Sequence, residues 1–369
     1  MDSLLIYGSY GYTGSLIARE AVARGGSPVV AGRDGLAVAR QADDLGVEGR
    51  VIDLESNDLE PHLEQFDAVV NCAGPFTETA DPLVAACLET STDYLDITGE
   101  FSVFECLRQR DDAAREADIT MLPGVGFDVV PSDCLAAFLG EQLPEADRLR
   151  LGIKGGGGLS RGTARTLVEH LGRGGVVRRN GRLIQVSTGF RTREIDFGDG
   201  PEHAVTIPWG DVVTAAHSTG IESIEVYAAA PPWANTALSV VDSLGWLLER
   251  QPVNGLLKRL VDARLDGPDG RQLATGSAVV WGEVVDDATG QRAQARLRTP
   301  NPYALTAESA VAAAERLLEP RNGVPAGFQT PASAFGSEFA LDLSGTEREL
   351  IETPDDDANE STRMLVEST

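Results

Sequence analysis

Short apolar runs separated by helical periodicity fill the first 125 residues. Strands are predicted at residues 4–7, 28–31, 50–54, 68–71, 94–97 and 119–122. Amphipathic patterns between these runs predict helices at 15–24, 36–45, 82–88 and 104–117. Strands that alternate with helices across short links are typical of a doubly wound parallel sheet. The sequence therefore predicts an α/β fold with an N-terminal Rossmann domain over residues 1–127.

The pattern after residue 128 is more mixed. It predicts a strand at 148–154, a helix at 162–171 and a hairpin of strands 279–285 and 292–298. A further helix is predicted at 306–319, with Thr306 as its N-cap. These elements indicate a second α+β domain over 128–300, which would bind substrate or support dimerisation.

An apolar segment covers residues 227–260 and contains Trp233 and Trp246. Two interpretations are open. It forms a flap that shelters a lipid-like substrate or touches a membrane, or it forms two amphipathic helices on the core or at a dimer interface. The second interpretation is favoured, because such patterns more often cover a core.

Composition describes an ordinary folded chain of 369 residues, with 42% hydrophobic residues and only four cysteines. No uncharged apolar run reaches the ~18–20 residues of a membrane span, and no basic region precedes the first apolar run. We therefore expect a cytoplasmic protein with reduced, buried thiols. The four histidines show no ligand spacing, so no metal site is expected.

The net charge of −26 is unusual, and lysine occurs only at Lys154 and Lys258. An acidic, lysine-poor surface favours a cytoplasm of very high salt, where screening removes self-repulsion; the alternative is a lineage bias toward Arg and Asp. Nucleic acid is not an expected partner, since phosphate contacts need a basic patch. The acidic residues 344–369 are expected to form a disordered tail.

A glycine motif follows the first predicted strand and precedes the first helix. It runs Gly8-Ser9-Tyr10-Gly11-Tyr12-Thr13-Gly14. Such a turn lets the backbone approach a pyrophosphate, and the helix N-terminus supplies N–H groups to it. The second strand ends at Arg33, which favours the 2′-phosphate of NADP, although Asp34 beside it leaves NAD open. Asp53, after the third strand, is either an acceptor for the adenine amine or an exposed loop carboxylate.

Small and polar residues follow the later strands, where open α/β sheets bind ligands. The fourth strand leads into a loop expected to pass beneath the cofactor, with Asn71, Ala73, Gly74 and Pro75. Tyr94 starts the fifth strand, and Asp128 follows the sixth. Ser132 and Asp133 are expected to cap the helix after Pro131.

The motifs occur in a characteristic order. They are the glycine turn, Ala31-Gly32-Arg33, residues 71–76, Tyr94-x-Asp96-x-x-Gly99-Glu100, Gly126-Phe127-Asp128-x-x-Pro131-Ser132-Asp133, residues 154–163 and residues 327–336. Together they resemble the saccharopine dehydrogenase-like oxidoreductases, in particular the branch of the mycobacterial trans-acting enoyl reductases. The resemblance covers residues 1–340. It implies NADP binding, a second α+β domain and a segment, 301–343, that returns to the first domain.

The resemblance predicts an NADP-dependent oxidoreductase that transfers hydride to the C=C bond of an enoyl lipid or thioester. Reduction of an imine, as in saccharopine metabolism, stays open, and so does a non-catalytic NADP sensor. Tyr94, Asp128 and Lys154 are the candidate acids by location. Lys154, Arg161 and Thr163 are the candidate anion-binding residues for a small-molecule, acyl or lipid-like substrate, and a homodimer fits the apolar segment.

Overall fold

The computed structural model describes residues 3–56, 58–155, 174–234, 273, 275–319 and 323–354. Two sheets organise these residues, and one continuous apolar core runs through both. The fold is an N-terminal Rossmann-type α/β domain with a second domain built on a mixed sheet, which confirms the predicted fold class.

The first sheet has seven parallel strands in the order β15-β6-β5-β4-β1-β2-β3. Its strands are β1 (Leu4–Tyr7), β2 (Val29–Gly32), β3 (Gly49–Val51), β4 (Ala68–Asn71), β5 (Asp93–Asp96), β6 (Thr120–Leu122) and β15 (Gly327–Phe328). The helices that connect them are α1 (Tyr12–Ala23), α2 (Gly35–Leu45), α3 (Glu60–Leu63), α4 (Phe76–Thr90), α5 (Phe101–Arg108) and α6 (Asp111–Glu116). The order changes direction at β1, so ligands are expected at the carboxyl ends of β1 and β4.

The second sheet has nine strands, seven of them in the order β10-β11-β12-β7-β13-β14-β16, with β8 paired to β12 and β9. Its strands are β7 (Arg148–Gly155), β8 (Gly175–Arg179), β9 (Arg182–Val186), β10 (Thr192–Asp196), β11 (Pro201–Thr206), β12 (Ser223–Ala229), β13 (Ser277–Val285), β14 (Arg292–Pro300) and β16 (Glu347–Glu352). The five strands from β8 to β12 and strand β16 are additions to the predicted pattern.

Five helical segments cover and join the sheets. They are α7 (Val130–Gln142), α8 (Asp211–Thr219), α9 (Pro302–Leu318), α10 (Pro331–Phe335) and a 3₁₀ turn at Phe339–Asp342. Helix α7 packs on β13, where Leu135 and Leu139 approach Gly282. Helix α9 packs along α1, and β15 then adds to the edge of the first sheet beside β6. Within the described ranges, no helix is long and apolar enough to cross a membrane.

The structure corrects two predictions. Helix α9 begins at Pro302 with Asn301 as N-cap, so Thr306 lies in its second turn and is not the cap. The segment expected to be a disordered tail contains β16, which pairs antiparallel with β14. Of the apolar segment, Tyr227 belongs to β12, and residues 235–260 lie outside the described residues. The predicted helix at 162–171 also lies outside them.

Candidate cofactor and catalytic site

The glycine turn lies at the carboxyl edge of the first sheet, between β1 and α1. Gly8 has φ +74°, and a side chain there would lie 2.7 Å from the backbone nitrogen of Ala73. Helix α1 follows with Gly11 as N-cap, no side-chain cap and no acidic residue in its first turn. Its N-terminus can therefore receive an anion. The turn and the loop after β4 form one closely packed cradle.

The end of β2 separates the roles of Arg33 and Asp34. Asp34 caps α2, because its Oδ1 accepts from Leu36 N at 3.0 Å and from Ala37 N at 3.1 Å. The hydrogen-bonding role of the Asp34 carboxylate is therefore to cap its own helix. Arg33 is exposed and has no hydrogen bond or ion pair among the described residues. The Tyr10 ring covers Gly32, and its hydroxyl accepts from the Asp34 N–H at 3.3 Å.

These contacts leave a cation and a phenol at the place where an adenosine 2′-phosphate would lie, which fits NADP better than NAD. Asp53 is exposed, and its Oδ1 accepts from Glu55 N at 3.1 Å within the loop. The adenine contact of Asp53 therefore stays a prediction beside its alternative, a loop carboxylate.

Asn71 organises the loop after β4. The side chain is fully buried, and its Oδ1 accepts from Ala73 N at 3.0 Å. Its amide nitrogen donates to Tyr94 Oη at 3.2 Å and to Thr79 Oγ1 at 3.1 Å. Thr79 in turn donates to the Ala73 carbonyl at 2.6 Å. The loop predicted to pass beneath the cofactor is therefore held from inside the sheet.

Tyr94 and Asp96 extend this network to β5 and β6. Tyr94 is fully buried, and its hydroxyl donates to Asp96 Oδ2 at 2.9 Å. Asp96 Oδ1 accepts from Thr98 N at 3.0 Å and Gly124 N at 2.9 Å. Burial raises the pKa of Asp96 to about 6, partly offset by these donors. The full burial of Tyr94 argues against its predicted role as a proton donor. Its hydroxyl instead links Asn71 at the end of β4 to Asp96 at the end of β5.

Asp128 is the predicted acid that lies at the edge of the site. It is half-buried in the loop between β6 and α7, and its carboxylate packs against Gly99, just beyond β5. A side chain at Gly99 would lie 2.9 Å from Asp128 Oδ2. Burial raises the pKa of Asp128 to about 6. Its main-chain carbonyl accepts from Trp209 Nε1 at 2.7 Å, which fixes the backbone.

Asp133 and Asp211 lie behind this loop as buried carboxyls. Asp133 is not a helix cap: it accepts from the Ser218 hydroxyl at 2.5 Å and from Ala332 N at 2.8 Å. Ser132 likewise turns back to the Val129 carbonyl. Within the described residues, neither oxygen of Asp211 has a hydrogen-bond partner.

Burial raises the pKa of Asp211 well above its usual range. The nearby Ser132 hydroxyl offsets part of this shift, and the Asp133 carboxylate adds to it. The neutral acid is therefore the favoured form of Asp211 in the fold.

Lys154 lies near the end of β7 in the second sheet. It is ion-paired with Glu202 and, at 3.6 Å, with Asp199, both in the segment that joins β10 to β12. These pairs argue against its predicted catalytic or substrate-binding role. The other two predicted substrate residues, Arg161 and Thr163, lie outside the described residues. The four cysteines are free thiols.

Sequence reasoning missed Trp209, Asp211 and Ser309. Each reaches the site only through long-range packing, and no local spacing marks them. Trp209 and Asp211 flank Gly210, whose lack of a side chain lets this segment pack against Phe104 and the Gly99 carbonyl. The described residues contain no group of His, Cys, Asp and Glu arranged to hold a metal ion.

The parallel sheet, the glycine turn and the exposed Arg33 beside the helix cap Asp34 define a dinucleotide-binding domain. Residues 4–122 match the family model of the saccharopine dehydrogenase NADP-binding domain. This match confirms, for residues 4–122, the resemblance found in the sequence, and the description of the model names NADP as the bound nucleotide.

Relatives match over the same part of the chain. A trans-acting enoyl reductase of Mycobacterium leprae is 33% identical over 144 residues, which cover 35% of this chain and 33% of that protein. A saccharopine dehydrogenase-like oxidoreductase of Mus musculus is 30% identical over 151 residues, 35% of each chain. The matched segment spans about a third of the length of the curated relatives.

A solved structure shares this two-sheet fold. Apo saccharopine dehydrogenase (L-Glu forming) from Saccharomyces cerevisiae superposes with a TM-score of 0.66 at 12% identity. The match covers 95% of this chain and all of the yeast chain. It supports the two-domain architecture.

Proposed function

We propose that this chain is an NADPH-dependent reductase of activated double bonds, with the C=C bond of an enoyl lipid or thioester as its substrate. The observation that carries the proposal is the position of Asp128. A half-buried carboxylic acid lies on the same sheet edge as the nucleotide cradle, across the ends of β1, β4, β5 and β6. The name of the mycobacterial relative supports the enoyl class.

Bound NADPH would supply a hydride, and the protein must then supply one proton. The cradle at Gly8 and α1 would hold the pyrophosphate, and Arg33 with Tyr10 would hold the 2′-phosphate. The loop fixed by Asn71 would support the nicotinamide ring.

Asp128 would hold the proton at its carboxyl group. In the reduction, hydride adds to the β-carbon of the enoyl group, the C=C electron pair moves to the α-carbon, and that carbon takes the proton of Asp128. Asp128 is left as a carboxylate and regains a proton from water. A pKa of about 6 suits this cycle, since both forms are accessible near neutral pH. Within the described residues no hydrogen bond occupies its carboxylate.

The first test measures binding and turnover separately. The purified chain is titrated with NADPH and with NADH in molar KCl, followed by nicotinamide fluorescence. NADPH oxidation is then measured with short-chain and long-chain 2-enoyl thioesters and with a preformed cyclic imine. Turnover of an enoyl thioester supports the proposal.

Turnover of the imine alone would overturn the enoyl assignment in favour of saccharopine-type chemistry. Tight NADPH binding without turnover of either class would favour the sensor. A folded protein that binds neither nucleotide would overturn the whole proposal.

A further inference from the structure

One face of α9 contacts both the glycine turn and the Asp128 loop. Tyr303, Thr306 and Ser309 are spaced by three residues, so they lie along one side of the helix. Tyr303 contacts Tyr12, whereas Thr306 and Ser309 contact the loop that carries Asp128. The helix begins at Pro302 and is capped by Asn301, whose Oδ1 accepts from Tyr303 N at 2.9 Å. The contact face therefore starts at a fixed helix end.

Thr306 and Ser309 hold the backbone of the Asp128 loop. The Thr306 hydroxyl donates to the Pro302 carbonyl at 2.8 Å and accepts from Phe127 N at 2.9 Å. The Ser309 hydroxyl donates to the Val125 carbonyl at 2.7 Å. The hydrogen bonds to Phe127 N and to the Val125 carbonyl are both buried. The methyl group of Thr306 fills the space beside Gly126.

The same loop is held from the second domain by Trp209, which donates to the Asp128 carbonyl. Three side-chain hydrogen bonds from two distant parts of the chain thus hold residues 125, 127 and 128. Several independent contacts to one short loop are what precise placement of a reacting group requires.

Tyr303 connects this face to the nucleotide cradle. Its ring meets the ring of Tyr12 edge-on, with centroids 5.2 Å apart at 86°. Tyr12 is the first residue of α1, directly after the glycine turn. A displacement of the turn on nucleotide binding would reach α9 at Tyr303 and the Asp128 loop one helical turn later.

We propose that Thr306 is a positioning residue for the reaction, and that α9 couples nucleotide binding to the placement of Asp128. The proposal rests on the proposed function, because it takes Asp128 as the proton donor. The proposed positioning role depends on the hydroxyl group of Thr306. Thr306→Val keeps the shape and the methyl contact but loses the acceptor for Phe127 N, whereas Thr306→Ser keeps it.

The experiment compares Thr306→Val, Thr306→Ser and Thr219→Val in the full chain. Thr219 is a matched control, since its hydroxyl donates to the carbonyl four residues earlier at 2.6 Å and accepts a backbone N–H, from Ile221, at 3.1 Å. Thermal melts identify any variant that does not fold. One readout is the rate of NADPH oxidation with a 2-enoyl thioester across pH.

The second readout needs no turnover. The pKa of Asp128 is measured by ¹³C NMR of its carboxyl carbon, with and without NADP⁺. The positive nicotinamide should lower this pKa in the wild type. We expect Thr306→Val to lose most of this response and to reduce the rate by about tenfold to a hundredfold. Thr306→Ser and Thr219→Val should behave like the wild type.

A folded Thr306→Val variant with wild-type rate and a wild-type NADP⁺ response would overturn the coupling. Equal losses in Thr306→Val and Thr219→Val would also overturn it, because they would reflect general destabilisation. Failure of the proposed function is distinguishable: the wild type itself would then lack turnover, and its Asp128 would not respond to NADP⁺.

Discussion

The carboxylate of Asp133 accepts a hydrogen bond of 2.8 Å from the backbone N–H of Ala332, 199 residues further along the chain. The same carboxylate accepts from Ser218 of α8. One buried side chain in α7 therefore ties together three segments that are remote in sequence. Removal of this side chain should therefore affect the stability of the fold more than the rate of the reaction.

Replacement of Asp133 by Ala should lower the free energy of unfolding by about 3 kcal/mol, because two buried hydrogen bonds to a carboxylate are lost. Urea denaturation measures the change. Asp43→Ala, at an exposed position of α2, is the control and should stay within about 0.5 kcal/mol. A similar small effect at Asp133 would contradict its role as a tie.

Replacement of Arg33 by Ala should weaken NADPH binding and leave NADH binding unchanged. A charge-assisted contact contributes about 1.5–3 kcal/mol, so the Kd for NADPH should rise roughly tenfold to a hundredfold. Fluorescence titration measures both constants. Arg40→Ala, an exposed arginine of α2, is the control. Equal weakening of NADPH and NADH would contradict recognition of the 2′-phosphate.

Replacement of Asp128 by Asn should reduce kcat/KM by about 10²–10⁴-fold, the usual contribution of a general acid. Tyr94→Phe should reduce it by less than about tenfold, because Tyr94 only supports Asn71 and Asp96. Steady-state kinetics with NADPH and an enoyl thioester measure both. The assignment fails if Tyr94→Phe has the larger effect.

Asp211 should make the stability of the fold depend on pH. Its pKa is raised in the folded chain, whereas 3.8 is its ordinary value. Such a carboxyl stabilises the fold below its unfolded pKa, and this contribution is lost as pH rises toward the folded pKa. The wild type should therefore lose stability relative to Asp211→Asn between pH 5 and 7.5, by up to about 1.4 kcal/mol per pH unit.

Urea denaturation at both pH values measures this difference, and the other raised carboxyls largely cancel because both proteins contain them. Parallel curves for the wild type and Asp211→Asn would show that Asp211 is ionised in the fold.

The central strands of the first sheet could be predicted because β1, β2 and β4 are short buried apolar runs followed by turn signals. Strand β4 lies at the predicted residues, and β1 and β5 differ by at most one residue. The second sheet was harder, because charged residues interrupt its strands. Glu283 is 3% exposed in β13 and pairs with Arg150 and Arg193. Because these buried residues are charged, the alternation of apolar and polar residues does not reveal the buried face of the strand.

The candidate site divides in the same way. The glycine turn and Arg33 could be read locally, because their spacing is set by one strand–helix unit. Thr306 was recognised as a capping residue type, but Asn301 before Pro302 is the stronger cap signal. The role of Thr306 depends on Phe127, and that contact across 179 residues has no local signature.

The addition of β15 beside β6 has a consequence for how the chain acquires its structure. The last strand of the first sheet is supplied only after eight of the nine strands of the second sheet have been synthesised. A fragment ending at residue 127 would expose the β6 edge and lose the α9 cover of α1. The nucleotide domain therefore assembles around a long loop closure, and folding should be slow and cooperative across both domains.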